Sequence, residues 1–168
     1  MRVTGPDRYK LSFDSNGFAV SCSKGTTTFS GQATSKLPKL YIVAVEDRPI
    51  YVGVTKQSMR NRLRFGWKAT GKGGYYGYSW RRKFSEASLD VWCHEDAPVE
   101  KPLLDIETVE AEVVFLIRCA GQWPPGQTEI HFHPSNQVHR DIAAVVVRTY
   151  GISNPTAKLD NDAIREER

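Results

Sequence analysis

A chain of 168 residues, 40% hydrophobic and 25% charged, is long enough to bury a core and ordinary in composition for a globular protein. No apolar run approaches the roughly 18 residues of a membrane span, and Met1 to Pro6 lack the apolar region of a signal peptide, so the expectation is a cytoplasmic protein with no membrane partner. The net charge of +4 permits a polyanionic partner without requiring one; its distribution says more, because every charged residue from Lys56 to Lys83 is Lys or Arg while acids gather from Glu86 to Glu112.

In chain order, Tyr9–Phe13 and Phe18–Cys22 alternate apolar and polar residues around Asp14-Ser15-Asn16-Gly17, which predicts a β-hairpin with an Asn-Gly turn. It reads as an N-terminal extension over residues 1–36, packed on the core or serving as a DNA-contacting arm. Ser23 to Lys36, rich in Ser, Thr and Gly, reads as a loop or irregular strand. Leu40–Val45 and Ile50–Thr55 are two β-rich runs around a polar break containing Pro49, a second hairpin. Ser58 is a good N-cap for a helix carrying Arg60, Arg62 and Arg64.

Four glycines and three tyrosines between Ala69 and Tyr78 predict a mobile loop. It lacks the Gly-Lys-Ser/Thr of a nucleotide-binding loop. Its aromatics, interleaved with Lys72, Arg81, Arg82 and Lys83, suit contacts to a nucleic-acid backbone; the other reading is a surface loop covering the core. Trp80 and Phe84 at i, i+4 predict a helix over 79–86, and Leu89–Cys93 a third strand. Leu103 to Ala120 is the strongest helix, with Ile106, Val109, Val113, Leu116 and Ile117 on one stripe; Gly121 and Pro124-Pro125 end it. Glu110 and Glu112 flank that stripe on opposite sides, and helical geometry does not choose between them.

Glu129, His131 and His133 fall at alternate positions, where a strand would bring them to one face as a metal site or as a polar network. Asn136 to Tyr150 predicts a last helix with Ile142, Val145, Val146 and Thr149 inward; residues 153–168 form a polar tail. Cys22, Cys93 and Cys119 fit neither a disulfide framework nor a zinc pattern.

Tyr41 and Tyr51 on adjacent strands, Tyr51-Val52-Gly53, and then Arg60-Asn61-Arg62-Leu63 on a helix resemble the core of the GIY-YIG nuclease superfamily. Leu40-Tyr41-Ile42 stands where that family has its first motif, so the glycine and the residue order differ while the tyrosine is kept. The resemblance implies an α+β fold with a small three-stranded antiparallel sheet flanked by helices, spanning 37–152. It implies a phosphodiester hydrolase in which two tyrosines, a helix arginine and a glutamate on a later helix line the site. Carried over, these are Tyr41 as base, Tyr51 as its partner, Arg62 on phosphate with Arg60 as the alternative, and Glu112 as ligand to Mg²⁺ or Mn²⁺. Glu112 is preferred because it precedes Phe115-Leu116-Ile117 as the family glutamate precedes an apolar pair, with Glu110 as the alternative. Gly53 is then structural, and Gln127, Glu129 or His131 stands in for an asparagine that many members carry.

The function expected is a metal-dependent DNA endonuclease, with sequence-specific cutting of restriction type as one form of it. Arg60, Arg64, Lys72, Arg81 and Arg82 would contact DNA, and a palindromic site would call for a homodimer or higher oligomer. Two further readings are an inactive nucleic-acid-binding protein on the same scaffold and a structure-specific repair nuclease.

Overall fold

The computed structural model describes residues 1–127 and 129–153; most of the polar tail expected at 153–168 lies outside them. Five strands form one antiparallel sheet: β1 (Val3–Phe13), β2 (Phe18–Cys22), β3 (Lys39–Val45), β4 (Arg48–Thr55) and β5 (Glu86–His94). The spatial order is β2-β1-β5-β3-β4. Among the described residues three α-helices accompany them: α1 (Met59–Lys68), α2 (Leu104–Cys119) and α3 (Gln137–Arg148). The α+β class is as expected, but the sheet has five strands rather than three. The physical reason is a long-range pairing. β1 bonds to β5 as well as to β2, with Leu11 opposite both Val20 and Ala87. The N-terminal hairpin therefore continues the central sheet and is not a separate extension.

β3 is apolar along nearly its whole length because both of its faces are covered. Tyr41 and Val43 face a layer with Leu63, Trp67, Tyr78 and Trp80, whereas Leu40, Ile42 and Ala44 face α2 and α3. β3 and β4 are joined by a two-residue turn, with Glu46 at φ 51° and Asp47 at φ 59°. Two positive φ values match the right-handed twist of the strands they connect. Pro49 is tolerated because β4 lies at the sheet edge, beside an irregularity in its register with β3.

The helix expected over 79–86 is instead a 3₁₀ turn, Ser79–Arg82, and Glu86 already begins β5. Pairing of Glu86 with Ser12 overrides the local i, i+4 pattern, although Trp80 and Phe84 still pack inward. The loop after β2 carries a further 3₁₀ turn, Gly31–Thr34, that buries Ala33. Residues 129–133 form no strand. On α3, Ala143, Ala144, Val146 and Val147 are buried, whereas Val145 and Thr149 are exposed, contrary to expectation.

α3 is clipped to its surroundings by polar groups. Asn136 caps it in a reciprocal box with His139, whose Nε2 lies 3.3 Å from Asp105 on α2. Tyr150 donates to the buried Asp90 carboxylate at 2.8 Å, and Arg8 of β1 holds the same carboxylate with two bonds of 2.7 and 2.8 Å. The three cysteines are free thiols. No described helix is long and apolar enough to cross a membrane.

Candidate functional site

β4, α1 and α2 meet at the β4 edge of the sheet around an open cleft of about 400 Å³. Tyr51 and Gly53 enter it from β4, Arg62 from α1, and Glu107 and Glu110 from α2. The local causes are legible. Ser58 accepts from the Asn61 amide at 3.4 Å and starts α1 directly after β4, so Arg62 lies one turn in, beside the strand it follows. Thr55, at the end of β4, accepts from the Gln57 amide at 3.0 Å and sets that short connection.

Tyr41 stands behind the cleft and does not line it. The residue is fully buried; its hydroxyl lies 3.2 Å from that of Tyr78 and accepts from Arg62 Nε at 3.0 Å. Tyr78 also donates to the Arg62 carbonyl at 3.3 Å, and the guanidinium sits 5.8 Å from the ring centres of Tyr75 and Tyr78. Arg62 is thus fixed by a tyrosine cage that leaves it facing the cleft. Burial raises the Tyr41 phenol well above its ordinary value despite the opposing charge of Arg62, and raises Tyr51 in the same direction. That shift disfavours an ionised phenol, so neither tyrosine is poised as a phenolate base.

Gly53 is required sterically. A β-carbon there would lie 2.8 Å from the Tyr41 ring and its oxygen, and 2.8 Å from the Tyr51 ring. The glycine, paired with Tyr41 across the β3–β4 ladder, lets the two rings sit side by side at 5.8 Å between centres.

Of the two helix carboxylates, Glu110 lines the cleft and Glu112 does not. The flank of α2 that carries Glu110 is turned toward β4, so the preference for Glu112 is not supported by position. Glu110 is 4% exposed, and burial pushes its pKa up to about 8, helped by the negative charge of Glu107; Gln127 and Arg62 work the other way. Glu107 Oε2 lies 2.9 Å from His133 Nε2, a contact that braces the polar segment after α2 against the helix.

That segment also seals the sheet edge. Gly126 donates its amide to the Ile50 carbonyl at 2.8 Å, and Gln127 Oε1 accepts from the Val52 amide at 3.0 Å. Gln127 Nε2 donates to the Glu129 carbonyl, placing Glu129 and His131 at the cleft mouth, 3.7 Å apart. His133 points instead to Glu107, so the three do not converge. Among the described residues no group of three or more His, Cys, Asp or Glu could hold a metal.

The basic residues divide. Arg64, Lys72 and Arg82 are exposed and Arg60 is half-buried. Arg81 is buried, and its Nη1 donates to the Gly66 carbonyl at 3.1 Å and to the Trp67 carbonyl. It caps the C-terminal turn of α1, so its expected role as a DNA contact is corrected to a structural one. The Gly/Tyr-rich loop is likewise anchored: Tyr78 is 2% exposed and packs so closely that a β-carbon on Gly66 would lie 2.1 Å from its ring. Tyr78 and Glu107 join the site without being expected there, whereas Gln127 is one of the three residues expected to stand in for an asparagine. Glu107 had a signal, since it precedes Glu110 by three positions on the same helix flank.

A larger concavity of about 820 Å³ lies between β1, the β3–β4 turn and the start of β5, and holds none of these site residues. No family model matches the chain, and no curated protein and no solved structure matches it.

Proposed function

We propose that the protein is a divalent-metal-dependent DNA endonuclease of the GIY-YIG type, with Glu110 rather than Glu112 as its metal ligand. The observation that carries the reading is the convergence of Tyr51, Arg62 and Glu110 from three separate elements into one cleft. Gly53 and Tyr41 sit directly behind them.

The donor set fits a hard cation that keeps most of its waters. Such an ion needs only one or two carboxylates, and Glu110 and Glu107 supply them one helical turn apart. Burial and mutual repulsion hold Glu110 toward its neutral form, and a cation provides the missing counter-charge. When bound, Mg²⁺ or Mn²⁺ would stabilise charge on the phosphoryl oxygens and on the leaving oxygen.

The remaining work falls to the chain. Arg62, held by Tyr41 and Tyr78, presents a fixed donor fork to a non-bridging phosphate oxygen. Tyr51 stays neutral and orients the attacking water through a hydrogen bond, and the open cleft lets the water's proton pass to solvent. Tyr41 is a positioning residue for Arg62 rather than the base. Cutting at a palindromic site, as by a restriction enzyme, would use two copies of the chain.

The test is incubation with supercoiled plasmid, with Mg²⁺ or Mn²⁺ and then with chelator, beside Glu110→Gln and Glu112→Gln. Metal-dependent nicking lost in the first variant and kept in the second is the expected result; discrete fragments would support site recognition. No cutting by the wild-type protein under any of these conditions overturns the reading, and DNA binding without cutting would assign the chain to an inactive scaffold.

A further inference from the structure

α1 has a second groove on its other flank. About 460 Å³ of open space separates the helix from β2 and the turn before it, walled by Asn16, Phe18 and Thr27 on one side and Arg60, Arg64 and Lys68 on the other. The three cations recur every fourth residue and form one stripe, rising about 5.4 Å per turn. At 100° per residue, Arg62 lies about 200° from Arg60, so the stripe and the cleft flank opposite edges of the buried face of α1.

The groove is preformed. Trp67 Nε1 donates to the Asp14 carbonyl at 3.1 Å, and the Trp67 and Phe18 rings meet at 5.0 Å, which fastens the hairpin tip to α1. The nearest acid in the turn is turned inward: Asp14 Oδ1 accepts from the Asn16 and Gly17 amides at 2.7 and 3.0 Å. Among the described residues, no carboxylate lies within ion-pair distance of Arg60, Arg64 or Lys68.

We infer that this groove holds a second stretch of deoxyribose-phosphate backbone of the same duplex that the cleft would cut. The inference rests on the nuclease reading for the identity of its partner. A helix with its side chains is about 10–12 Å across, and one DNA strand carries a charge every 3.4 Å or so of axis, so the groove lies about three phosphates from the one at Arg62. Arg60, Arg64 and Lys68 neutralise those phosphates, and Asn16 and Thr27 donate to them from the hairpin side. The hairpin and α1 together set the register of the strand, and Arg62 acts on the phosphate that this register delivers.

The test is fluorescence anisotropy of a labelled duplex in chelator across a salt series. The proteins compared are the wild type, Arg60→Ala/Arg64→Ala/Lys68→Ala, and a control, Lys101→Ala/Arg140→Ala/Arg148→Ala. Loss of three phosphate contacts is expected to lower the slope of log affinity against log salt by about 2–3, with the control slope unchanged. An unchanged slope in the groove variant, with melting temperature intact, overturns the inference even if the wild type cuts DNA. So does a wild-type protein that binds no duplex. Conversely, the expected change in slope in a protein that never cuts supports the groove as a DNA site and overturns only the nuclease reading.

Discussion

Arg62 Nε donates to the Tyr41 hydroxyl at 3.0 Å across 21 positions of chain, and only the arginine of this pair reaches the cleft. The bond separates the two tyrosines that the family resemblance places together as base and partner. In the proposed site Tyr51 meets the substrate, and Tyr41 acts through Arg62. Tyr41→Phe keeps the ring but leaves a half-buried guanidinium N–H and the Tyr78 hydroxyl short of a partner. Stability should fall by about 1–3 kcal/mol in urea denaturation. Cutting should slow through loss of arginine alignment, and Tyr51→Phe should slow it at least as much while changing stability less. Equal loss of stability in both variants would show that the two tyrosines are not divided in this way.

Glu110 ties stability to pH. Its carboxyl titrates near 4.5 when free and at about 8 in the fold. Between those values the folded state holds a proton that the unfolded chain has lost. Stability is therefore undiminished below about pH 4.5, declines as pH rises, and levels off above about pH 8, by up to about 5 kcal/mol. Thermal melts of wild type and Glu110→Gln over this window should diverge, with the variant much flatter. Metal must displace that proton, so at subsaturating Mg²⁺ the cutting rate should climb by up to about tenfold per unit below pH 8 and then level off.

Gly53→Ala tests the packing behind the site. The added methyl meets two rings at 2.8 Å, so a ring or the strand must move. A cost of about 1–3 kcal/mol is expected, with altered near-ultraviolet dichroism of the tyrosines. Cutting should fall more steeply than stability does, because the displaced ring is either Tyr51 itself or the support of Arg62. Normal stability and normal spectra in this variant would remove the steric role assigned to the glycine.

Arg81 and Arg82 are neighbours with opposite fates. Arg81→Ala strips the cap from the last turn of α1 and should destabilise the protein by about 1–3 kcal/mol, with little change in the salt dependence of DNA binding. Arg82→Ala should leave stability within about 0.5 kcal/mol, as for other exposed positions. Chemical denaturation together with the salt series separates the two.

What could be read in the sequence was mostly local. The β3–β4 hairpin, the Ser58 cap, the α2 stripe and the Asn136 start of α3 depend on neighbours within a few residues, and all lie where their patterns place them. The width of the sheet depends on β1 meeting β5, a contact such as Arg8 with Asp90 across 82 positions, which no window of the sequence contains. The choice between Glu110 and Glu112 depends on which flank of α2 turns toward β4. That is decided by packing of the whole helix, not by the residues around either glutamate. Arg81 departs from the expected DNA contact because a charged side chain is ordinarily exposed, whereas the carbonyls of Gly66 and Trp67 that bury it belong to an element 14 or 15 positions earlier.

The place of β5 also bears on how the protein assembles. The strand joins β1 to β3, yet its residues, Glu86–His94, emerge from the ribosome after both hairpins. Until then β1 and β3 each present an unpaired edge, an open template for pairing with other chains. Insertion of β5 closes both edges in one event and links contacts far apart in sequence. Such topologies fold slowly, and their partly folded forms are prone to aggregate. A nascent chain that stalls before residue 94 would therefore be sticky at the two edges that β5 later closes, and yield during expression should respond more to temperature and chaperone supply than the stability of the finished fold would suggest.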